Sequence, residues 1–279
     1  MPTADLADAR AGGELAALVA CHDWRRTPLG PIEHWPQSLQ IVLRILLGSR
    51  YAMWLGWGPE LTFFYNDAYA RMSLGAKHPW ALGRSAREVW SEIWGDIGPR
   101  AESVIRTGVA TWDEGLLLFL ERSGFREETY HTFSYSPVPD DAGVGGMLCV
   151  VTEDTERIIG ERRLRTLRRL SAELATSNTE RDVVGAVARQ LAANPHDLPF
   201  TLTYLLEPDR RHARLAAWSG VSPGDAVAPA IVDLGAASAV WGTELTGHGE
   251  LVAIDDLAGR FAAMPTGAWD RPPQRAVLI

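Results

Sequence analysis

Apolar positions change period several times along the chain, and each change marks an element. Leu39, Val42, Leu43, Leu46 and Leu47 recur at i, i+3, i+4, i+7 and i+8 behind Trp35-Pro36. That spacing predicts an amphipathic helix with proline at its first position and one covered face. From Tyr51 the period shortens, and YAMWLGWG and LTFFYN, joined by Pro59-Glu60, predict a β-hairpin. Asn66 is placed to cap a short helix over Asp67–Met72, and Ser85, with Glu88 three residues later, to cap another over SAREVWSEIWGDIG. Pro99 restarts a helix through Val104 and Ile105 to Gly108. Three strands are expected next, Leu116–Leu120, Glu128–Val138 and Gly146–Val151, separated by Arg122-Ser123-Gly124 and by the turn from Pro139 to Gly143. The order is ββααα βββ.

A charged helix follows from Glu156 to Glu173, with Leu164, Leu167, Leu170 and Leu174 on one stripe. About two heptads are present where a firm coiled coil has three or four, so the helix reads as a connector and a dimer seam. A second unit begins near Thr179, with Val183, Val187 and Leu191 on a helix and then strands FTLTYLLE and ARLAAWSG around the turn Pro208–Arg211. Beyond a Gly/Ala/Pro-rich stretch from Ser222 to Ala237, GELVAID and RAVLI read as further strands. The expected division is an N-terminal arm and helix over 1–50, a first domain over 51–155, the connecting helix over 156–178 and a second domain over 179–279.

Composition fits that division. A chain of 279 residues has room for two domains. Eight of its 11 tryptophans precede residue 113, so the two units differ in character. With 46% hydrophobic and 22% charged residues, the chain has the balance of a folded globular protein. Lys and Arg number 27 against 35 Asp and Glu, a net charge of −8 that argues against duplex nucleic acid or an anionic membrane as a main partner. Cys21 and Cys149 form no disulfide framework, and the start of the chain lacks the basic and apolar segments of a signal peptide. The most apolar stretch, Ile41–Leu47, is interrupted by Arg44 and is too short to span a bilayer, so a cytoplasmic location is expected.

Few constellations promise catalysis. His22-Asp23-Trp24-Arg25-Arg26-Thr27-Pro28-Leu29 looks like the His-Glu-x-Arg-Thr-Pro-Leu box of histidine kinases, but its spacing is off by one and two prolines follow where that box needs a long helix. The glycines between Gly143 and Gly146 have no P-loop lysine, and the other histidines form no metal-ligand spacing. Glu127-Glu128 and Asp140-Asp141 are strand neighbours that point to opposite faces. No metal site and no catalytic residue is expected. What remains is an aromatic cavity: Trp90 and Trp94 at i, i+4 on one predicted helical face, Trp54 on the first strand, and His131, Phe133 and Tyr135 on one side of a later strand. Such a layer is either packed solid, the simpler reading, or holds a small ligand.

The strings TPLGPIEHWPQSL, WGPELTFFYNDAY, KHPWALGRSAREVWSEIW, EETYHTFSYSPVPDD and ERRLRTLRRLSA resemble the N-terminal PAS region of large bacterial sensor histidine kinases of PAS–GAF–kinase layout, over about residues 24–175. HDLPFTLTYLLEPD resembles the GAF domain that follows in those proteins. The resemblance implies an α+β fold: a PAS domain, an antiparallel sheet with flanking helices, then a signalling helix and a GAF-like α/β domain. The GAF-like part is expected to be incomplete, leaving an apolar edge at Ile279.

No cofactor is indicated. A flavin-adduct PAS needs an Asn-Cys-Arg helix where this chain has NDAYARMSL. A bilin site has only Cys21 in its favour, and haem ligation through His78 or His131 rests on residue type alone.

The expectation is a cytoplasmic sensory module, not itself an enzyme. It would form a homodimer, take an unknown small-molecule ligand or partner and control a downstream transmitter domain, a histidine kinase, in the same polypeptide. The alternative is a ligand-free dimerisation scaffold feeding a phosphatase or cyclase output.

Overall fold

The structure, a computed structural model, describes residues 13–235, 241 and 251–279, and its contacts divide the chain into Met1–Ile158 and Ile159–Ile279. The first unit is α+β. Strands β1 (Ala52–Trp57), β2 (Thr62–Tyr65), β3 (Thr111–Leu120), β4 (Glu127–Asp140) and β5 (Gly143–Glu153) form one antiparallel sheet in the order β2-β1-β5-β4-β3. Tyr65, Trp54, Cys149, Tyr135 and Thr111 stand opposite one another in a single cross-strand row. Residues of one row share a face, so the register alone gathers these side chains.

Both faces of the hairpin end are covered. Trp54 and Leu55 are neighbours on β1 and both buried, as are Phe63 and Phe64 on β2. Neighbours on a strand point to opposite sides. On one side lie α3 (Asp67–Tyr69) with a wider helical turn over Ala70–Leu74, then α4 (Ala86–Val89) and α5 (Trp94–Thr107). On the other, Phe64 stacks on Trp24 at 4.8 Å and meets Trp35 at 5.6 Å, and α2 (Gln37–Gly48) lies against the sheet with Leu39, Leu43 and Leu46 buried. With α1 (Glu14–Cys21), the segment expected to be a separate arm and helix over 1–50 contributes Leu15, Val19, Trp24 and Trp35 to the same core as the sheet. Residues 1–12 of that arm lie outside the described part.

Several expectations change in detail. Pro36 is the residue before α2 rather than its first residue. The helix expected over SAREVWSEIWGDIG is broken, because α4 ends at Val89 and α5 begins at Trp94. Pro99 stands inside α5, which ends on Gly108 in the left-handed conformation, φ 66°. Strand β3 starts five residues early and bulges between Asp113 and Leu116, where Gly115 has φ 57°.

Asn66 performs its capping role and more. Its Oδ1 accepts from the backbone N–H of Tyr69 (3.0 Å) and Met53 (3.2 Å), while its amide nitrogen donates to the carbonyls of Tyr51, Leu46 and Ser49 at 2.7, 3.1 and 3.2 Å.

Helix α6 (Thr155–Leu174) starts against β4. Asp154 N–H donates to the Tyr130 carbonyl (2.7 Å), Tyr130 N–H donates to Thr155 Oγ1 (3.0 Å), and Thr132 Oγ1 donates to Asp154 (2.5 Å).

The division between units falls within α6, after Ile158. In the second unit α7 (Glu180–Ala192) is opened by a reciprocal cap between Thr179 and Asp182. It runs back along the C-terminal part of α6, since Arg189 and Gln190 both donate to Glu173 and Arg162 donates to Asp197. Strands β6 (Thr201–Leu206), β7 (His212–Ser219) and β8 (Ile231–Asp233) make a three-stranded antiparallel sheet, and β9 (Val252–Ile254) pairs with β10 (Ala276–Leu278). The expected strand at GELVAID therefore survives as β9, and its Gly249-Glu250 lies outside the described residues. The apolar edge expected at the last strand is paired along one side by β9.

Candidate functional site

Between the sheet and α3–α5 the first unit leaves a cavity of about 30 Å³. Alternation along β4 turns His131, Phe133 and Tyr135 into it, β5 adds Cys149 and Val151, and β1 adds Trp54. Tyr69, Ser73, Trp90, Ile93 and Ile97 close it from the helical side. The rings are interlocked: Trp54 meets Tyr135 edge-on at 5.6 Å, Phe133 lies 4.8 Å from Tyr135, and Tyr69 stands perpendicular to Trp90 at 6.3 Å.

Five of the six residues expected to line a cavity, Trp54, Trp90, His131, Phe133 and Tyr135, meet here. Trp94 does not. The break between α4 and α5 takes Trp90 into the core and leaves Trp94 outside the lining, with the Arg87 guanidinium 5.2 Å from its ring. The two are therefore not one helical face. Tyr69 and Ser73 were not anticipated; their signal was the i, i+4 spacing behind the Asn66 cap.

Burial governs the chemistry of the wall. It pushes the hydroxyls of Tyr69 and Tyr135 and the Cys149 thiol upward, so all three stay protonated. His131 is pushed down to about 4, first by burial; Glu153 and Asp154 oppose this and Arg122 adds to it. Its tautomer follows from its neighbour. Thr129 spends its hydroxyl hydrogen on the Leu118 carbonyl at 2.8 Å, so its oxygen accepts from His131 Nε2–H at 3.1 Å. At one end of the cavity wall Arg122 donates to both oxygens of Glu153 (2.7 and 2.9 Å), to Glu127 (3.1 Å) and to the Met72 carbonyl.

Among the residues that line the cavity, one polar group is left over. The Trp90 indole N–H is fully buried and has no hydrogen-bond partner among the described residues. It faces the Tyr69 hydroxyl closely enough to favour that group's anion, but completes no hydrogen bond to it.

About 30 Å³ is room for a water or two, far below the roughly 300–1,000 Å³ of small-molecule sites. In this packing the cavity has no room for haem beside His131, and His78 is engaged by Tyr65 Oη (2.9 Å) and Glu14 (3.3 Å). No cluster of three His, Cys, Asp or Glu suited to a metal occurs among the described residues, and none of their helices is long and apolar enough to cross a membrane. His22 follows the last residue of α1 in extended conformation, its ring 4.4 Å from Trp24. On α6, Leu164 and Leu167 are exposed, 46% and 61%, while Leu170 and Leu174 are half-buried.

No protein-family model and no curated protein matches the chain. It is similar to solved PAS and LOV structures. An RNA-binding light-oxygen-voltage receptor shares 25% identity over 54% of this chain, with a TM-score of 0.35, and this chain spans 43% of that one's length. The PAS domain of Bordetella pertussis BvgS is 15% identical over 47% of this chain and 98% of its own, TM-score 0.32. A sensory box sensor histidine kinase from Vibrio cholerae is 11% identical over 42% and 92%, TM-score 0.30.

Proposed function

We propose that the chain is the sensory input part of a bacterial two-component signalling protein: a PAS domain, a signalling helix and a GAF-like domain that together control a histidine kinase output. The observation that carries the reading is the buried Trp90 N–H, which has no hydrogen-bond partner among the described residues, on a cavity between sheet and helices. Leaving such a donor unsatisfied costs about 1–3 kcal/mol. A small molecule that brings an acceptor to it, with α4 and α5 giving way to admit it, recovers that energy in one packing only. A difference of 1–3 kcal/mol biases a two-state equilibrium about 5–150-fold, which is the usual size of an allosteric coupling. The resemblance of residues 24–175 to the PAS region of sensor kinases supports the same reading. In it the protein is a cytoplasmic homodimer paired along the α6 leucines, and phosphotransfer belongs to the output domain, with His22 as no phosphoacceptor.

The small cavity favours a second reading, a ligand-free PAS–GAF scaffold for a phosphatase or cyclase. Mass spectrometry of small molecules extracted from the purified protein separates the two. A stoichiometric ligand that is lost in Trp90→Phe supports the sensor. No ligand in either protein, with Trp90→Phe as stable as the wild type, leaves the scaffold.

A further inference from the structure

The second unit holds a cleft of different character. Arg162, Arg165, Thr166 and Arg169 recur at i, i+3, i+4 and i+7 on α6 and so form one stripe. The antiparallel return of α7 sets Gln190, at its C-terminal end, and His196, in the following loop, across from that stripe. The space between is about 320 Å³, at the lower end of the range for small-molecule sites and about ten times the cavity in the first unit.

The charges are unbalanced. Arg162 is held as a fork on Asp197, Nε at 2.8 Å and Nη2 at 2.9 Å, and Arg163 adds a third donor to the same carboxylate at 3.2 Å. Asp197 is thus outnumbered before the next turn is reached. Arg165 and Arg169 then face the cleft with no ion pair among the described residues. His196 is fixed in place, its ring 4.9 Å from Trp269 and its carbonyl accepting from Trp269 Nε1 at 2.8 Å. In a chain of net charge −8, Arg165 and Arg169 thus stand against one concave wall without an ion pair among the described residues, while the nearby Glu173 is engaged by Arg189 and Gln190. Two guanidinium forks one helical turn apart match the oxygens of a phosphate group, and the pre-held Arg162 fixes the edge of the site.

We propose that this cleft binds a compact phosphate-bearing anion, a phosphate with an attached group no larger than a nucleoside. The site is separate from the cavity of the first unit and does not rest on the reading given to it.

Titration calorimetry of the full chain at low salt, with inorganic phosphate, pyrophosphate and AMP as probes, tests the proposal. Saturable 1:1 binding of at least one probe is expected, weakening as salt is raised. Each of Arg165→Gln and Arg169→Gln should weaken it by about tenfold or more, the size of one lost charge-assisted hydrogen bond. Both residues are solvent-exposed, so the variants should keep the wild-type circular dichroism and melting. Arg168→Gln, on the same helix but outside the cleft, should bind as the wild type does. The proposal is overturned if none of the three probes gives saturable binding, if Arg168→Gln loses as much as the cleft variants, or if the cleft arginines hold single-stranded RNA while binding none of the probes.

Discussion

His131 makes the stability of the first unit depend on pH in a window of its own. Its imidazole sits neutral in the cavity wall and titrates at about 4, against 6.5 for a free side chain. Because the folded value is depressed, the unfolded chain takes up the proton first. Stability is therefore whole above pH 6.5 and is lost as pH falls from 6.5 toward 4, after which the two states carry the same charge here. The full gap of about 2.5 units corresponds to about 3 kcal/mol, and about 2 kcal/mol of it is gone by pH 5. The charged groups facing the ring are Glu153 at the end of β5, Asp154 after it and Arg122 in the turn between β3 and β4. Burial pushes Glu153 up, but its hydrogen bonds from Arg122 and Thr155 together with the nearby positive charge outweigh it and hold the carboxyl below its usual range, so it stays ionised through the window. The perturbation is His131→Leu, which removes the proton site and keeps the position apolar. Urea unfolding of both proteins at half-unit steps from pH 7.5 to 5 gives the assay. Other titrating groups, His22 among them, are common to both and cancel in the difference. The wild type should lose about 2 kcal/mol more than the variant. Parallel curves, or a ring that titrates above pH 6 by NMR, would refute the reasoning.

Two further substitutions bear on other parts of the molecule. Asn66→Ala removes five hydrogen bonds at a side chain only 1% exposed and leaves buried backbone groups without partners, so a loss of about 3 kcal/mol or more is expected by chemical denaturation; a loss under 1 kcal/mol contradicts the role given to it. Leu167→Asp places a charge on the exposed leucine face of α6, and sedimentation should show a wild-type dimer whose association it weakens at least tenfold, while a wild-type monomer at high concentration rules out the seam.

Alternation carried most of the cavity into view from the sequence. HTFSY on β4 and MLCVV on β5 state which side chains face inward, whatever the partner strand, and the cap at Asn66 marks where a helix begins. The break at Trp90 was not legible, because helix propensity and the Ser85/Glu88 signal are local while the pull of a large apolar ring into the core is not. Trp24 and Trp35 lie in a polar, proline-containing stretch without period, so nothing near them marks them as part of the sheet's core. The arginine cleft escaped for the same reason. Half of it reads as a charged helix face, and its concavity exists only once α7 returns alongside.

The start of α6 is fastened to β4 at Tyr130 and Thr132, the two residues on either side of His131. The Thr132 hydroxyl stands on the surface of β4 opposite the imidazole, and the Tyr130 contacts are backbone groups in the plane of the sheet, so one strand's thickness separates the cavity from the root of α6. A shift of β4 at His131 would therefore reach the root of α6 through the backbone of one strand. Thr132 also accepts from the Gly115 N–H at the β3 bulge, at 3.0 Å, which ties β3 to the same point.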